Sequence, residues 1–390
     1  IPNSQKVVFT AAAHHSITGG PIAVLDPQVS NNSQEALKIV TPEIPFPEAV
    51  TRDIREYYDS PWPLSEKYFL VSYSPWPLVW EPGANLPNAL GIYLIDVFGN
   101  RELIYRDPVI GSTNPTPLVP RPVPPVLPTT LPKESPDQGE AIIADVYQGL
   151  GDVARGTIKS VRIVQIFPKS TNVAGTPPIG IAGEENARAV LGEVPVEADG
   201  SAHFTVPARR PVLFQLLDKD GMAYQTMRSL TYLQPGEKVS CVGCHEPQKN
   251  TPLNVTPVAA RRAPSSIVPG PLEGEPFSYV LTVQPILDKY CVRCHSGEEP
   301  KGNKNLTGEP LNMFSRSYLA LCGDQDFLGE KTNLETAAAA LVPRFGMRNQ
   351  IQITPPGGAF GARGSKLIRM LKDGHHEVRL EPEEMRRIAQ

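Results

Sequence analysis

Short runs of alternating apolar and polar residues dominate the first 107 residues, which predicts strands rather than helices. Residues 91–107 (GIYLIDVFGNRELIYRD) alternate on both sides of Gly99 and Asn100, a pattern typical of a β-hairpin. Two units of strand, aspartate and turn (PIAVLDP and IYLIDVFGN) resemble repeats of a β-propeller. Residues 1–107 are therefore predicted to form a partial β-propeller-like region, with an irregular β layer as the alternative.

A second set of short strands follows a proline-rich linker at residues 108–140. Residues 141–255 contain five such runs, at 158–167, 194–197, 202–206, 212–217 and 223–231. Asp-Gly pairs at 199–200 and 220–221 predict the turns of two hairpins. A small β-sandwich is the simplest architecture for this region.

The pattern changes to a helical period after a second linker, at residues 256–276. Within residues 277–390, Pro285 suits the first turn of a helix in which Ile286 and Tyr290 share one face. A second amphipathic segment, SKLIRMLKDG, ends at Gly374, and glycine is typical of the position after a helix. The chain is thus predicted to be multidomain, with two mainly β regions followed by an α-helical domain.

Composition and charge narrow the range of functions. Proline accounts for 43 of the 390 residues, roughly twice its usual share of about 5%, which favours extended connections. The net charge of −4 lacks the basic surplus of a nucleic-acid binder, and no apolar stretch is long enough for a transmembrane helix. The opening residues IPNSQKVVFT lack the pattern of a signal peptide, and we expect natural sequence to extend beyond both ends.

Four of the five cysteines lie in two copies of the motif Cys-x-x-Cys-His. The first copy comprises Cys241, Cys244 and His245, and the second comprises Cys291, Cys294 and His295. This spacing is the attachment signature of c-type haem, because the two thiols reach the vinyl groups of one porphyrin and the histidine binds its iron. The motifs therefore predict two covalently bound haem c groups and a C-terminal domain of cytochrome c type.

Zinc binding and dithiol redox chemistry are the competing interpretations. The cysteine pairs of a zinc ribbon are usually separated by roughly 15–20 residues, whereas residues 245–290 intervene here. A thioredoxin-like pair would accompany a βαβ pattern, which the sequence lacks. Because c-type haem is attached outside the cytoplasm, the protein is expected to be exported. Cys322 then has no disulfide partner and is expected to be a small buried residue.

The remaining histidines suggest distal iron ligands. His375 and His376 follow the SKLIRMLKDG helix, and one of them is the candidate distal ligand of the second haem, with Met370 or Met347 as alternatives. His14 and His15 lie in a turn of small residues and are candidates for the open side of the first haem. His203 lies in a strand and is expected to pack in the fold.

Taken together, these segments resemble the hydrazine synthase alpha subunit family. The resemblance rests on FTAAAHHSITGGPIAVLDP, LIDVFGNRELIYRDP and PRPVPPVLP, on SCVGCHEP, on VQPILDKYCVRCHSGEEPKGNKNLTG and on SKLIRMLKDGHHEVRLEPEE. It implies the end of an N-terminal propeller, a middle domain with the first haem and a cytochrome domain with a second, bis-histidine haem. By position, His375 would be that distal ligand.

The resemblance also implies a redox enzyme in which the first haem assembles hydrazine and the second passes electrons. The family's iron-binding tyrosine, four residues after the first motif histidine, is replaced here by Lys249, and the family's upstream zinc-binding cysteine has no counterpart before Cys241. His245 is therefore expected to bind iron directly, and zinc is a cofactor that this chain does not support. The alternatives are an electron-transfer cytochrome without catalysis and a haem-based sensor.

The expected partners are a redox protein or other subunits, together with a small-molecule substrate if the chain is an enzyme. The expected location is extracytoplasmic, in the periplasm or an equivalent compartment such as an anammoxosome.

Overall fold

The computed structural model of the chain describes residues 1–12, 19–45, 55–78, 85–121, 123–129, 136–171, 177–183, 186–244, 255–323, 340–344, 357–358 and 360–390. Internal contacts divide the protein into two compact units, Ile1–Val126 and Leu127–Gln390. The protein is mainly β, with several separate sheets. No helix in the described ranges is long and apolar enough to cross a membrane.

The first unit contains two antiparallel sheets. One has three strands, β1 (Val7–Thr10), β2 (Ile22–Leu25) and β3 (Leu37–Ile39). The other is a four-stranded meander of β4 (Tyr57–Pro63), β5 (Tyr68–Ser74), β6 (Gly91–Asp96) and β7 (Arg101–Tyr105), the strand number of a propeller blade. The predicted hairpin is confirmed, because β6 pairs with β7 and the Asp96 carboxylate accepts hydrogen bonds from Phe98 N and Asn100 N.

The second unit begins with a seven-stranded β-sandwich. Its first sheet has the order β10 (Arg188–Pro195), β9 (Ser160–Ile166), β12 (Val212–Leu217) and β13 (Ala223–Thr226). Its second sheet has the order β11 (Ala202–Pro207), β8 (Gln138–Ile143) and β14 (Lys238–Cys241). One core joins both sheets, where Phe204 of β11 meets Phe214 of β12 edge to face with ring centroids 5.4 Å apart.

Two expectations for this region differ from the structure. The predicted hairpin around Asp199 and Gly200 has the turn but not the strand pair, because β10 and β11 belong to opposite sheets. Val194 and Phe204 must both point into one core, and a crossing between sheets achieves this where a flat hairpin would not. Residues 256–276, predicted to be a linker, instead bridge to the sandwich, where Ser265 contacts Phe204 and Val268 contacts Glu193. The other predicted hairpin, at Asp220 and Gly221, is confirmed as the β12–β13 pair.

The rest of the second unit consists of short helices and one small two-stranded sheet. The helices are α1 (Tyr279–Thr282), α2 (Gln284–Tyr290), α3 (Arg316–Cys322), α4 (Gly361–Gly364), α5 (Lys366–Asp373) and α6 (Pro382–Ala389), and the sheet pairs β15 (Pro310–Leu311) with β16 (Phe314–Ser315). Single 3-10 turns lie at Gln34–Ala36, Ala259–Arg261 and Lys301–Asn303. As predicted, Pro285 lies in the first turn of α2, and Gly374 caps α5 in the left-handed conformation.

Candidate functional site

The second cysteine motif forms a single turn at the end of helix α2. The Cys291 N–H donates to Leu287 O at 2.7 Å, so Cys291 still continues the helix. The N–H groups of Cys294 and His295 both donate to Cys291 O, at 3.1 and 3.0 Å. Helix α2 therefore ends before Cys294, and the following turn brings both cysteines and the histidine to one end of the helix.

A cavity of about 310 Å³ lies against this turn. The cysteine motif forms part of its wall, and Leu306, Leu321, Leu341, Leu367, Leu371, Met370 and Val378 supply apolar surface. His375 and His376, which follow helix α5, also line the cavity. The structure thus brings together the second motif and the histidines that were predicted to be its distal partners.

His295 and His375 have their ring centroids 6.1 Å apart, with an angle of 28° between the ring planes. The two rings are thus nearly parallel, and their separation lies toward the upper end of the range for ring contacts. Burial lowers the pKa of His375 below its usual value of 6.5, and the nearby His376 and His295 lower it further. His295 Nδ1 is buried and has no hydrogen-bond partner in the structure. His376 is exposed and lies edge-on to His375, with the centroids 4.4 Å apart.

The first motif is built on the edge of the sandwich instead of on a helix. Strand β14 pairs in parallel with β8 and ends at Cys241, whose carbonyl accepts a hydrogen bond from Ala144 N at 2.9 Å. Cys244 N donates to Gln148 O at 3.0 Å. Both cysteines are half-buried against the core of the sandwich.

The first motif packs so closely against a neighbouring turn that only glycine fits at position 243. A Cβ atom added at Gly243 would lie 2.3 Å from Gln148 Cβ and 2.6 Å from Gln148 O. The turn it contacts is fixed by Asp145, whose carboxylate accepts from Tyr147 N at 3.0 Å and pairs with the Arg155 guanidinium at 2.5 Å. The backbone between the two cysteines therefore packs tightly against the turn that follows β8.

Several predicted residues fall outside the described ranges. These are His245, His14 and His15, together with Met347 and Lys249. The predictions for them stay predictions. His203 is buried as expected, and its ring nitrogens contact Glu140 Oε2 at 3.0 Å and Arg262 O at 3.3 Å. Cys322 is also buried, packed between the short helices of the second unit.

A buried polar chain beside the second motif was missed by sequence reasoning. Gln284 is only 4% exposed, and its side-chain amide donates to Asp288 Oδ1 at 2.7 Å and to Leu306 O at 3.0 Å. Its Oε1 accepts from Ser317 Oγ at 2.5 Å. Because Leu306 N donates to His295 O at 2.8 Å, this amide holds the loop that follows the motif histidine. A glutamine beside a proline at a helix start carries no sequence signal for such a role.

A second missed feature connects the sandwich to the helix that precedes His375. Asp218 and Asp220, in the turn between β12 and β13, pair with Arg363 of α4 and Lys372 of α5. The Arg363 guanidinium also lies over the Tyr224 ring, 3.7 Å from its centroid. The β12–β13 hairpin therefore forms ion pairs with two helices, α4 and α5.

In the described ranges, no group of three or more His, Cys, Asp or Glu side chains is arranged to hold a metal ion.

Comparison with known proteins shows which family this part of the chain resembles. Residues 156–246, which include β9 to β14 and the first motif, match the family model described as the hydrazine synthase alpha subunit middle domain. In this region the chain is similar to the hydrazine synthase alpha subunit. A curated alpha subunit from Kuenenia stuttgartiensis is 26% identical over 251 residues, which are 46% of this chain and 31% of that protein.

The fold agrees with this relationship over almost the whole chain. The solved structure of Kuenenia stuttgartiensis hydrazine synthase matches with a TM-score of 0.52 and 20% identity, covering 95% of this chain and 57% of that one. The chain thus spans about a third of the length of the curated hydrazine synthase alpha subunit. The comparison of structures concerns the fold alone.

Proposed function

We propose that this relative of the hydrazine synthase alpha subunit is an exported redox protein with two covalently attached haem c groups. One would be attached to Cys241 and Cys244 with His245 as iron ligand. The other would be attached to Cys291 and Cys294, with His295 and His375 as the residues that would hold its iron. When bound, haem iron supplies one-electron redox chemistry, and a five-coordinate iron adds a site for small molecules.

The opposition of His295 and His375 carries the proposal. A metal held between two imidazoles at about 2 Å from each nitrogen separates the ring centroids by roughly 6 Å. The observed separation is 6.1 Å. Both thiols of the motif line the same cavity as the two histidines, and leucines supply the apolar surface that a porphyrin requires.

The thiol chemistry favours thioether attachment over a redox dithiol. Burial raises the pKa of Cys291, and the neighbouring Cys294 raises it further. A dithiol oxidoreductase needs the opposite, because its attacking cysteine must be a thiolate near neutral pH. A thioether carries no charge and suits this apolar wall. Four-cysteine zinc binding is disfavoured because the pairs lie on separate structures, an edge strand and a helix end.

The first haem decides between catalysis and electron transfer. In the catalytic version, His14 or His15 would line a side of the first haem that is open to a small nitrogen or oxygen species, and the second haem would supply electrons. In the alternative, both irons carry two protein ligands and the chain only transfers electrons. A sensor role would also need the open position. Other subunits or a redox protein would be the partners, as expected for a relative of a synthase subunit.

The haem content of the purified, exported protein tests the main proposal. We expect a pyridine haemochrome assay to give two haems per chain and the intact mass to exceed the polypeptide by two macrocycles. Fewer than one haem per chain would overturn the proposal for both sites.

The matched substitutions His375→Ala and His376→Ala test the distal ligand. His375→Ala should convert one low-spin ferric signal to a high-spin signal, because one iron loses a strong-field imidazole. His376→Ala serves as the control, and its spectrum should be the same as that of the parent. Equal spectra for the parent and His375→Ala would refute the assignment of His375.

Carbon monoxide binding to the reduced parent protein separates the functional alternatives. Binding at one iron supports an open first haem and therefore a catalytic or sensing role. Two low-spin irons that do not bind carbon monoxide leave electron transfer as the function.

A further inference from the structure

A second cavity in the Leu127–Gln390 unit lies apart from both cysteine motifs. It has a volume of about 550 Å³, within the range typical of sites for small organic molecules. Most of its wall is apolar, formed by Ile179, Phe277, Val280, Met313, Phe314 and Tyr318. None of the cysteines or histidines of the proposed haem sites lines it.

The aromatic part of this wall is already ordered. The rings of Tyr318 and Tyr279 meet edge to face with centroids 5.0 Å apart, and Phe314 stacks on Tyr318 at 5.1 Å. Tyr318 Oη accepts a hydrogen bond from Ile181 N at 3.1 Å, and Tyr279 Oη donates to Ser317 Oγ at 3.1 Å. With both hydroxyl groups bonded, the rings present fixed apolar surfaces that a planar molecule can contact without reorganising the site.

Charge at the cavity has one sign. Arg188, the first residue of β10, is the one charged residue among the described residues that line the cavity, and none of them is acidic. No ion pair involves Arg188 in the described ranges, and the residue is exposed at its position on the wall. Asn186 and Asn312 supply further polar groups on the lining. An unpaired guanidinium beside aromatic walls favours an anionic group attached to an apolar body.

We propose that this cavity binds a planar apolar molecule carrying one acidic group, with the ring system against Phe314 and Tyr318 and the anion at Arg188. The proposal is independent of the haem assignment. It identifies the chemical class of the ligand, an aromatic carboxylate, sulfonate or phosphate, from the wall and its charge.

Titration calorimetry with two matched probes tests the proposal on the full chain as purified. The probes are 1-anilinonaphthalene-8-sulfonate and the uncharged N-phenyl-1-naphthylamine, which differ by the sulfonate. Calorimetry is chosen because bound haem would quench their fluorescence. The parent should bind the sulfonate saturably at one site per chain, and Arg188→Gln should weaken this binding by about tenfold, since a charge-assisted hydrogen bond is lost. Binding of the uncharged probe should not change.

Two further variants make the test specific to the cavity. Arg210→Gln removes another exposed arginine of the sandwich and should leave both affinities unchanged. Val280→Trp fills the mouth from a side chain that is 55% exposed, so the fold should tolerate it, and it should weaken both probes. Absence of saturable binding to the parent, or equal sulfonate binding by the parent and Arg188→Gln, would overturn the proposal.

Discussion

The two cysteine motifs have the same five-residue pattern, Cys-x-x-Cys-His, but they lie in different structural surroundings. The first continues an edge strand and is clamped at Gly243 onto the turn after β8. The second completes a helix and faces a histidine across an apolar cavity. The difference suggests that the same attachment chemistry can be combined with two degrees of closure. A haem at the helix end would be enclosed by the cavity that His375 lines, whereas a haem at the strand edge would need other parts of the chain to complete its far side.

The largest expected effect comes from removing each cysteine pair in turn. The double substitution Cys291→Ser and Cys294→Ser should halve the haem content, and so should Cys241→Ser with Cys244→Ser, because each pair is proposed to attach one porphyrin. Haemochrome assays and intact masses measure this. A variant of either pair that retains two haems would show that the sites are not independent.

Removing the buried amide beside the second motif should have the next largest effect. Gln284→Leu leaves Ser317 Oγ, Asp288 Oδ1 and Leu306 O without their partner, and the free energy of unfolding should fall by about 2–4 kcal/mol. Urea unfolding followed at the haem absorption band measures this. Gln284→Glu keeps the shape and the bond from Ser317, but it replaces the donor to Asp288 and Leu306 with a second acceptor and should not recover the loss at pH 7. An unchanged unfolding midpoint in Gln284→Leu would refute the role of the amide.

The residues between the cysteines sharpen the comparison further. Gly243→Ala should cost about 1–3 kcal/mol, because the added methyl group would overlap Gln148. The matched position in the second motif is Arg293, which is exposed, and Arg293→Ala should change the stability very little. Thermal unfolding of both variants tests the contrast, and equal effects would mean that the first motif is no more tightly clamped than the second.

The smallest expected effect is a pH-dependent change in stability from Glu140, which lies on the strand that pairs with β14. Hydrogen bonds from His203 and Lys238 hold the pKa of Glu140 below its usual value of 4.5. A lowered pKa in the folded state stabilises the fold above the unfolded pKa, and this contribution disappears as the pH falls through the folded pKa. Glu140→Gln should therefore lower the urea midpoint slightly at pH 7, and this difference from the parent should shrink as the pH falls below 4.5. A difference that stays the same at low pH would contradict this.

Much of the local structure could be predicted from the sequence, because it depends on neighbouring residues. The hairpin at Asp96, the proline at the start of α2 and the cap at Gly374 are all decided within a few positions. The cysteine motifs were readable for the same reason. The sequence suggested His375 or His376 as the distal ligand from their place after a helix, and the resemblance favoured His375. The distance between His295 and His375 could not be predicted, since these residues follow two separate helices.

Features that depend on distant parts of the chain escaped prediction. Strand β14 pairs in parallel with β8, about 100 residues earlier in the sequence, and nothing in its four residues indicates that partner. The turn at Gly200 was correctly found, but its flanking strands entered opposite sheets because both had to face one core. The polar chain around Gln284 likewise combines residues from three segments.

The salt bridges from Asp218 and Asp220 to Arg363 and Lys372 have a practical consequence for dissecting this protein. A gene fragment that begins after the sandwich would express the helical region with two cations deprived of their carboxylates, on the segment that leads into His375. Expression designs should therefore retain the β12–β13 hairpin, since the helical region is stabilised by residues that precede it in the sequence.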